Sequence, residues 1–162
     1  MTIPPFFQVF HALLCPPGHG GYYKRRIPIF EKSGTLMTDY YRLVYRAMLP
    51  TPNERTLISA IYPPKLGHIN GVQSTAFLSK EILLLTASFG FSIVADFFIK
   101  TTGRTNLHYI WHSFPLIESD SDKISKLKNL KIRTLLLNSL TRDYTDLWQE
   151  CWQEDFQKDC WA

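Results

Sequence analysis

The sequence predicts an α+β fold, a small antiparallel sheet of short strands packed on a buried helix and followed by a C-terminal helical segment. Three observations carry this expectation. Short runs rich in Tyr, Val, Ile and Thr alternate with proline-bearing breaks. One long apolar stretch has both a helix start and a helix stop, and the last part of the chain has apolar positions at helical spacing.

Residues 1–38 hold Pro4, Pro5, Pro16, Pro17 and Pro28 with Gly18, Gly20, Gly21 and Gly34, so irregular chain is expected there, with one short strand near Tyr22–Phe30. Such a start, without a capped first element, is what a chain cut from a longer protein looks like. Residues 39–117 form the expected α+β core. Tyr40–Met48, Arg55–Tyr62 and His68–Phe77 read as its strands, separated by the Pro52-Asn53 and Pro63-Pro64 breaks. The first run also fits a helix, because Tyr41, Val44, Tyr45 and Met48 share a helical face. Ser79 as N-cap and Glu81 in the first turn open an apolar helix from Ile82 to Ile99 that stops at Lys100-Thr101-Thr102-Gly103. Its length approaches that of a membrane span, but Thr86, Ser88, Gly90, Ser92 and Asp96 interrupt it, so a core helix and no membrane contact are expected.

Leu107–Ile117 reads as an aromatic extended segment, and Glu118-Ser119-Asp120-Ser121-Asp122 as a linker and helix cap. Residues 118–162 then form the helical segment. Leu127, Leu130, Thr134, Leu137 and Leu140, then Tyr144, Leu147, Trp148 and Cys151, mark one or two amphipathic helices.

The composition, 45% hydrophobic and 20% charged over 162 residues, is that of a globular domain large enough to bury a core. The net charge of +4 conceals an asymmetry: residues 1–80 carry nine Lys+Arg against three Asp+Glu, whereas residues 118–162 carry seven against nine. The basic half is the one suited to a polyanion. Cys15, Cys151 and Cys160 lack metal-ligand spacing, and their odd number argues against a disulfide framework, so a reducing cytoplasm is expected. No basic stretch precedes an apolar run at the N-terminus, and a signal peptide is not expected.

Candidate contact residues gather in two places. Arg42 and Arg46 are neighbours whether their segment is strand or helix, and Asn53, Glu54, Arg55 and Thr56 follow closely. Arginine can grip a phosphate or bond two acceptors of guanine, and asparagine can do the same to adenine. A structural reading competes, in which Asp39 and Glu54 simply pair with these arginines. The second place is Arg104, Thr105 and Asn106, in a polar loop after the apolar helix. His108 and His112 are four apart, but no Glu between them completes a zinc motif and no third ligand presents itself, so no metal is expected.

No catalytic residue can be nominated. Ile3-Pro4-Pro5-Phe6 approaches the Asn-Pro-Pro-aromatic motif of adenine methyltransferases, but isoleucine cannot hydrogen-bond a target amino group. A Phe-x-Gly-x-Gly segment for S-adenosylmethionine is absent as well.

The order of the remaining motifs nevertheless carries a resemblance. Thr38-Asp39-Tyr40-Tyr41-Arg42-Leu43-Val44-Tyr45-Arg46, then Asn53-Glu54-Arg55-Thr56, Tyr62-Pro63-Pro64 and His68-Ile69-Asn70 come first. Asp96-Phe97-Phe98, Thr102-Gly103-Arg104-Thr105 and Phe114-Pro115-Leu116 follow, and then Leu135 to Trp148. In this order, over about residues 35–162, the chain resembles the C-terminal target-recognition region of large adenine-specific DNA methyltransferases of the type IIG restriction-modification and phage-defence kind. The resemblance implies a unit that reads double-stranded DNA while a separate catalytic domain or subunit, absent from this sequence, binds S-adenosylmethionine and methylates adenine N6. The implied DNA-binding residues are Arg42, Arg46, Asn53, Arg55, Thr56, Arg104, Thr105 and Asn106, with no cofactor bound by this chain itself. The alternative is an interaction subunit docking on a methyltransferase core through Trp148, Trp152 and Trp161, residues that would otherwise pack internally.

Overall fold

The computed structural model describes residues 8–10, 29–30, 35–49, 53–77, 79–107 and 127–158, and over these the protein is α+β. Strands β1 (Gln8–Phe10), β4 (Arg42–Arg46), β5 (Ser59–Tyr62) and β6 (Val72–Ala76) form an antiparallel sheet in the order β1-β6-β4-β5. A separate pair joins β2 (Ile29–Phe30) to β3 (Thr35–Leu36). Strand β4 is central, with Leu43 opposite Ile61 on one side and Thr75 on the other. The Tyr40–Met48 run is therefore strand, not helix, because its backbone groups are taken up by two neighbours.

The three expected strands are all present and all shorter than expected. Residues 53–58 and 68–71 lie outside the strands, although Ile58 O still accepts from Arg46 N at 3.0 Å and Gly71 O from Ala47 N at 2.9 Å.

Alternation along β4 separates two faces. Tyr41, Leu43 and Tyr45 enter the main core with Leu57, Ile61, Leu83, Leu84, Ile99, Ile132, Leu135 and Leu147. The opposite face carries Arg42, Val44 and Arg46. Its Arg42 end is covered by Met37 packed on Ala76 and by the loop where the buried His68 ring lies 2.9 Å from the Ser74 hydroxyl.

The apolar stretch expected as one helix is two, α1 (Lys80–Phe91) and α2 (Ile93–Thr101), bent by 64°. Ser92 makes the break. Its backbone is extended, its hydroxyl donates to Phe89 O at 2.7 Å to close α1, and the same oxygen accepts from Ala95 N at 3.1 Å to open α2. Ser79 caps α1 as the sequence predicts, accepting from Ile82 N. Gly103, at φ +62°, ends the run in the left-handed conformation glycine tolerates. No single helix among the described residues is long and apolar enough to cross a membrane.

The C-terminal segment comprises α3 (Lys128–Asn138), a 3-10 turn at Arg142–Tyr144, α4 (Thr145–Cys151) and a further 3-10 turn at Glu154–Lys158. It shares the sheet's core through Ile132, Leu135, Leu147 and Phe156. It also covers the edge strand β5. Asn138 Oδ1 accepts from Ile61 N at 3.3 Å, and the Tyr144 hydroxyl donates to Ile61 O at 2.7 Å. Tyr41 donates to Asp143 O at 2.8 Å, bringing its ring 6.3 Å from that of Tyr144. The ion pairs Lys80–Glu150 and Lys131–Glu81 tie this segment to α1 around a cavity of about 280 Å³ that Cys151 and Phe156 also line.

Candidate nucleic-acid interface

Two of the nominated residues are interior. Arg42 is fully buried, with one guanidinium nitrogen donating to Leu66 O and Nε and Nη1 without a partner. Burial lowers its proton affinity, and the neighbouring Tyr62 opposes this in smaller part. Thr56 is likewise fully buried. Neither side chain can touch a duplex in this arrangement. Both lie beneath the surface because Arg42, in β4, and Thr56, in the chain after Arg55, are covered by their neighbours. Nor do Asp39 and Glu54 neutralise Arg42 and Arg46, since the ion pairs among the described residues join other groups.

The remaining nominees come together at one end of the sheet. β4 ends at the exposed Arg46, and the chain continues through buried Ala47, exposed Met48 and buried Leu49. Alongside runs the loop after Gly103. Leu49 N donates to Thr105 O at 3.0 Å, Leu107 N donates to Ala47 O at 2.9 Å, and Met48 stands opposite Asn106 in an antiparallel bridge. With Leu107 also buried, the pairing is anchored from below, while Arg46, Met48, Arg104, Thr105 and Asn106 are exposed.

The segment of Asn53 and Arg55 is fastened to the same end by α2. Asp96, buried in that helix, accepts from Thr56 N at 2.7 Å and Leu57 N at 2.6 Å, and Arg55 Nε lies 3.9 Å from its other oxygen. Arg55 also donates to Phe91 O at 2.9 Å, and Lys100 Nζ donates to Asn53 O at 2.9 Å. Asn53 is thereby left exposed and Arg55 half-exposed. Sequence reasoning nominated neither Asp96 nor Lys100. A lone carboxylate in an apolar helix was the available signal, because a buried charge requires partners.

Four cations, Arg46, Arg55, Lys100 and Arg104, thus gather with two carboxylates, the exposed Glu54, whose backbone carbonyl also accepts from Lys100 Nζ, and Asp96, which is buried and occupied. The surface is positive and rich in donors. An open groove of about 450 Å³ begins at Arg46 and runs along the outer sheet face between Val44, Ile58, Ala60, Ile69 and Val72. On the outer side of α2, Ile93, Val94 and Phe97 are exposed as a contiguous apolar face. The histidine pair His108 and His112, Trp161 and the Leu107–Ile117 segment beyond its first residue lie outside the described residues. Within those residues no cluster of three potential metal ligands occurs. No family model, curated protein or solved structure matches the chain.

Proposed function

We propose that this chain is a DNA-recognition fragment or subunit of an adenine-specific DNA methyltransferase of a restriction-modification or phage-defence system. The observation that carries the reading is the convergence of Arg46, Asn53, Arg55, Arg104, Thr105 and Asn106, three stretches of chain, on one exposed positive edge. Phosphates supply the sequence-independent attraction to such an edge, and Arg and Asn are the side chains that read base edges. On this reading methyl transfer is performed by a cytoplasmic methyltransferase catalytic domain or subunit outside the given sequence, whose residues include no glycine segment for S-adenosylmethionine and have Ile3 where an adenine-binding side chain is needed.

Fluorescence anisotropy of a labelled duplex across a salt series tests the reading. Affinity that falls steeply with salt, and more gently once Arg46 and Arg104 are replaced by alanine, is the expected result. No binding at low salt would defeat it.

The second reading, docking on a methyltransferase core, is supported by the apolar outer face of α2 and by the exposed Trp152, but not by Trp148. Trp148 packs against the core and stacks edge-on with Phe156, 6.5 Å between centroids. Phe97→Asp on a chain that still binds DNA separates the two roles: a docking face loses its partner while duplex affinity is kept.

A further inference from the structure

The groove of about 450 Å³ on the outer sheet face takes its shape from strand register. Across β4 and β5 the outward pairs are Arg46 beside Ile58, Val44 opposite Ala60 and Arg42 opposite Tyr62. On the third strand Val72 stands opposite Arg46. Ala60 in the middle and Gly71 beside Val72 are small, whereas Ile58, Ile69, Val72 and Tyr62 rise around them, so a trough is left between. A methyl group at Gly71 would meet only Ile69 Cδ1, at 4.0 Å. Ile69 and Ile58 are 73% and 48% exposed along its walls. From Arg46 to the level of Tyr62 the trough follows about 13 Å of strand.

Two features define the occupant. The floor is paired sheet, β4 being bonded to β5 on one side and β6 on the other, so it offers no free backbone group. A peptide lying there would bury N–H and C=O groups without partners, a cost that an alkyl chain does not meet. Arg46 is the one charged residue lining the groove, it is exposed, and no ion pair among the described residues engages it. We infer that the groove binds an unbranched alkyl carboxylate of medium length, its chain along Val44 and Ala60 and its carboxylate on the Arg46 guanidinium. An apolar trough with a single charged group that fixes orientation is the usual build of a small-molecule site, and the planar fork of arginine matches both carboxylate oxygens. The site goes beyond the reading of the neighbouring edge as a duplex surface, and the failure of either leaves the other standing.

Calorimetry of the full chain with decanoate below its micelle concentration, with shorter carboxylates and decanol for comparison, tests the inference. One site is expected. Affinity should rise about threefold for each CH₂ added from hexanoate to decanoate, and decanol, which lacks the charge, should bind about tenfold more weakly. Arg46→Ala should take decanoate and decanol alike, and Arg46→Lys should keep a preference for decanoate. Ala60→Phe fills the floor of the trough and should abolish binding. Ile69→Asp, at a position exposed enough to leave folding intact, should weaken it about tenfold and serves if Ala60→Phe does not fold. Absence of binding, affinity independent of chain length, or equal affinity in wild type and Ile69→Asp overturns the inference. So does a preference for decanoate over decanol that survives Arg46→Ala.

Discussion

Asp96 holds the backbone of Thr56 from across the chain, its carboxylate oxygen 2.7 Å from an amide nitrogen forty residues earlier in sequence. With the bond to Leu57 N, one buried oxygen satisfies two amides that no strand ladder reaches. Asp96→Ala leaves both unsatisfied, and a loss of about 3 kcal/mol is expected in urea denaturation. Asp96→Asn keeps an acceptor oxygen and should cost about half as much. An equal loss in both would mean that packing, not acceptance, is what Asp96 supplies.

Arg42 predicts the opposite sign. A buried guanidinium with two partnerless nitrogens and no ion pair among the described residues is a cost to folding, as the lowering of its proton affinity by burial already implies. Arg42→Met, similar in length and apolar, should raise stability by about 1 kcal/mol or more, and Arg42→Ala, which leaves a cavity, should lower it. Urea midpoints of the two variants decide the matter.

The two arginines of β4 should also separate in DNA binding. Arg46→Ala combined with Arg104→Ala is expected to reduce the slope of log affinity against log salt by about 2, at roughly 0.9 per phosphate contact. Arg42→Met should leave the slope unchanged, because its side chain is beneath the surface. A slope reduced equally by both would place the interface elsewhere.

Burial pushes the Cys151 thiol up to about 11, with Glu150 adding to the rise, so it is protonated and slow to react at neutral pH. The unfolded thiol releases its proton near 9.0, and between these values the folded state holds more protons than the unfolded one. Stability therefore falls as pH rises through that window. Wild type should lose more stability than Cys151→Ser across it, and alkylation followed by peptide mapping should find Cys151 unmodified at neutral pH in the folded chain.

Tyr144→Phe removes the hydroxyl from Ile61 O and keeps the ring beside Tyr41. A cost of about 1 kcal/mol is expected, measured by denaturation. A larger loss would indicate that the C-terminal segment detaches as a unit.

The fold class was legible because short strand-type runs between proline breaks survive as β4, β5 and β6, and because Ser79 and Gly103 are unambiguous punctuation. The buried face of α3 was not: Leu130, Leu137 and Leu140, expected on its apolar side, are exposed, while Ile132 and Leu135 with Thr134 turn inward. Nor was the bend at Ser92. A serine inside an apolar run reads as a tolerated polar residue, and only its extended backbone reveals that it closes one helix and opens the next. The candidate site was legible in part for the same reason: residue type gives the chemistry a side chain can do but not the face it occupies. Arg42 and Arg46 share spacing and chemistry, yet one lies under the covered end of the sheet and the other at its open end. Met48 escaped notice because an apolar residue in a strand is assumed to point inward. Here Ala47 and Leu49 take the inward positions and leave it outside.

The bonds from Asn138 and Tyr144 to Ile61 also impose an order on biosynthesis. During synthesis all four strands of the sheet emerge before the residues that close the β5 edge, and until Tyr144 arrives that edge presents an unpaired N–H and C=O to any neighbouring chain. The nascent protein passes through an interval in which strand addition from another polypeptide competes with its own C-terminal segment. A stop codon placed before Asn138 would make that interval permanent, and the shortened chain would be expected to self-associate through the β5 edge.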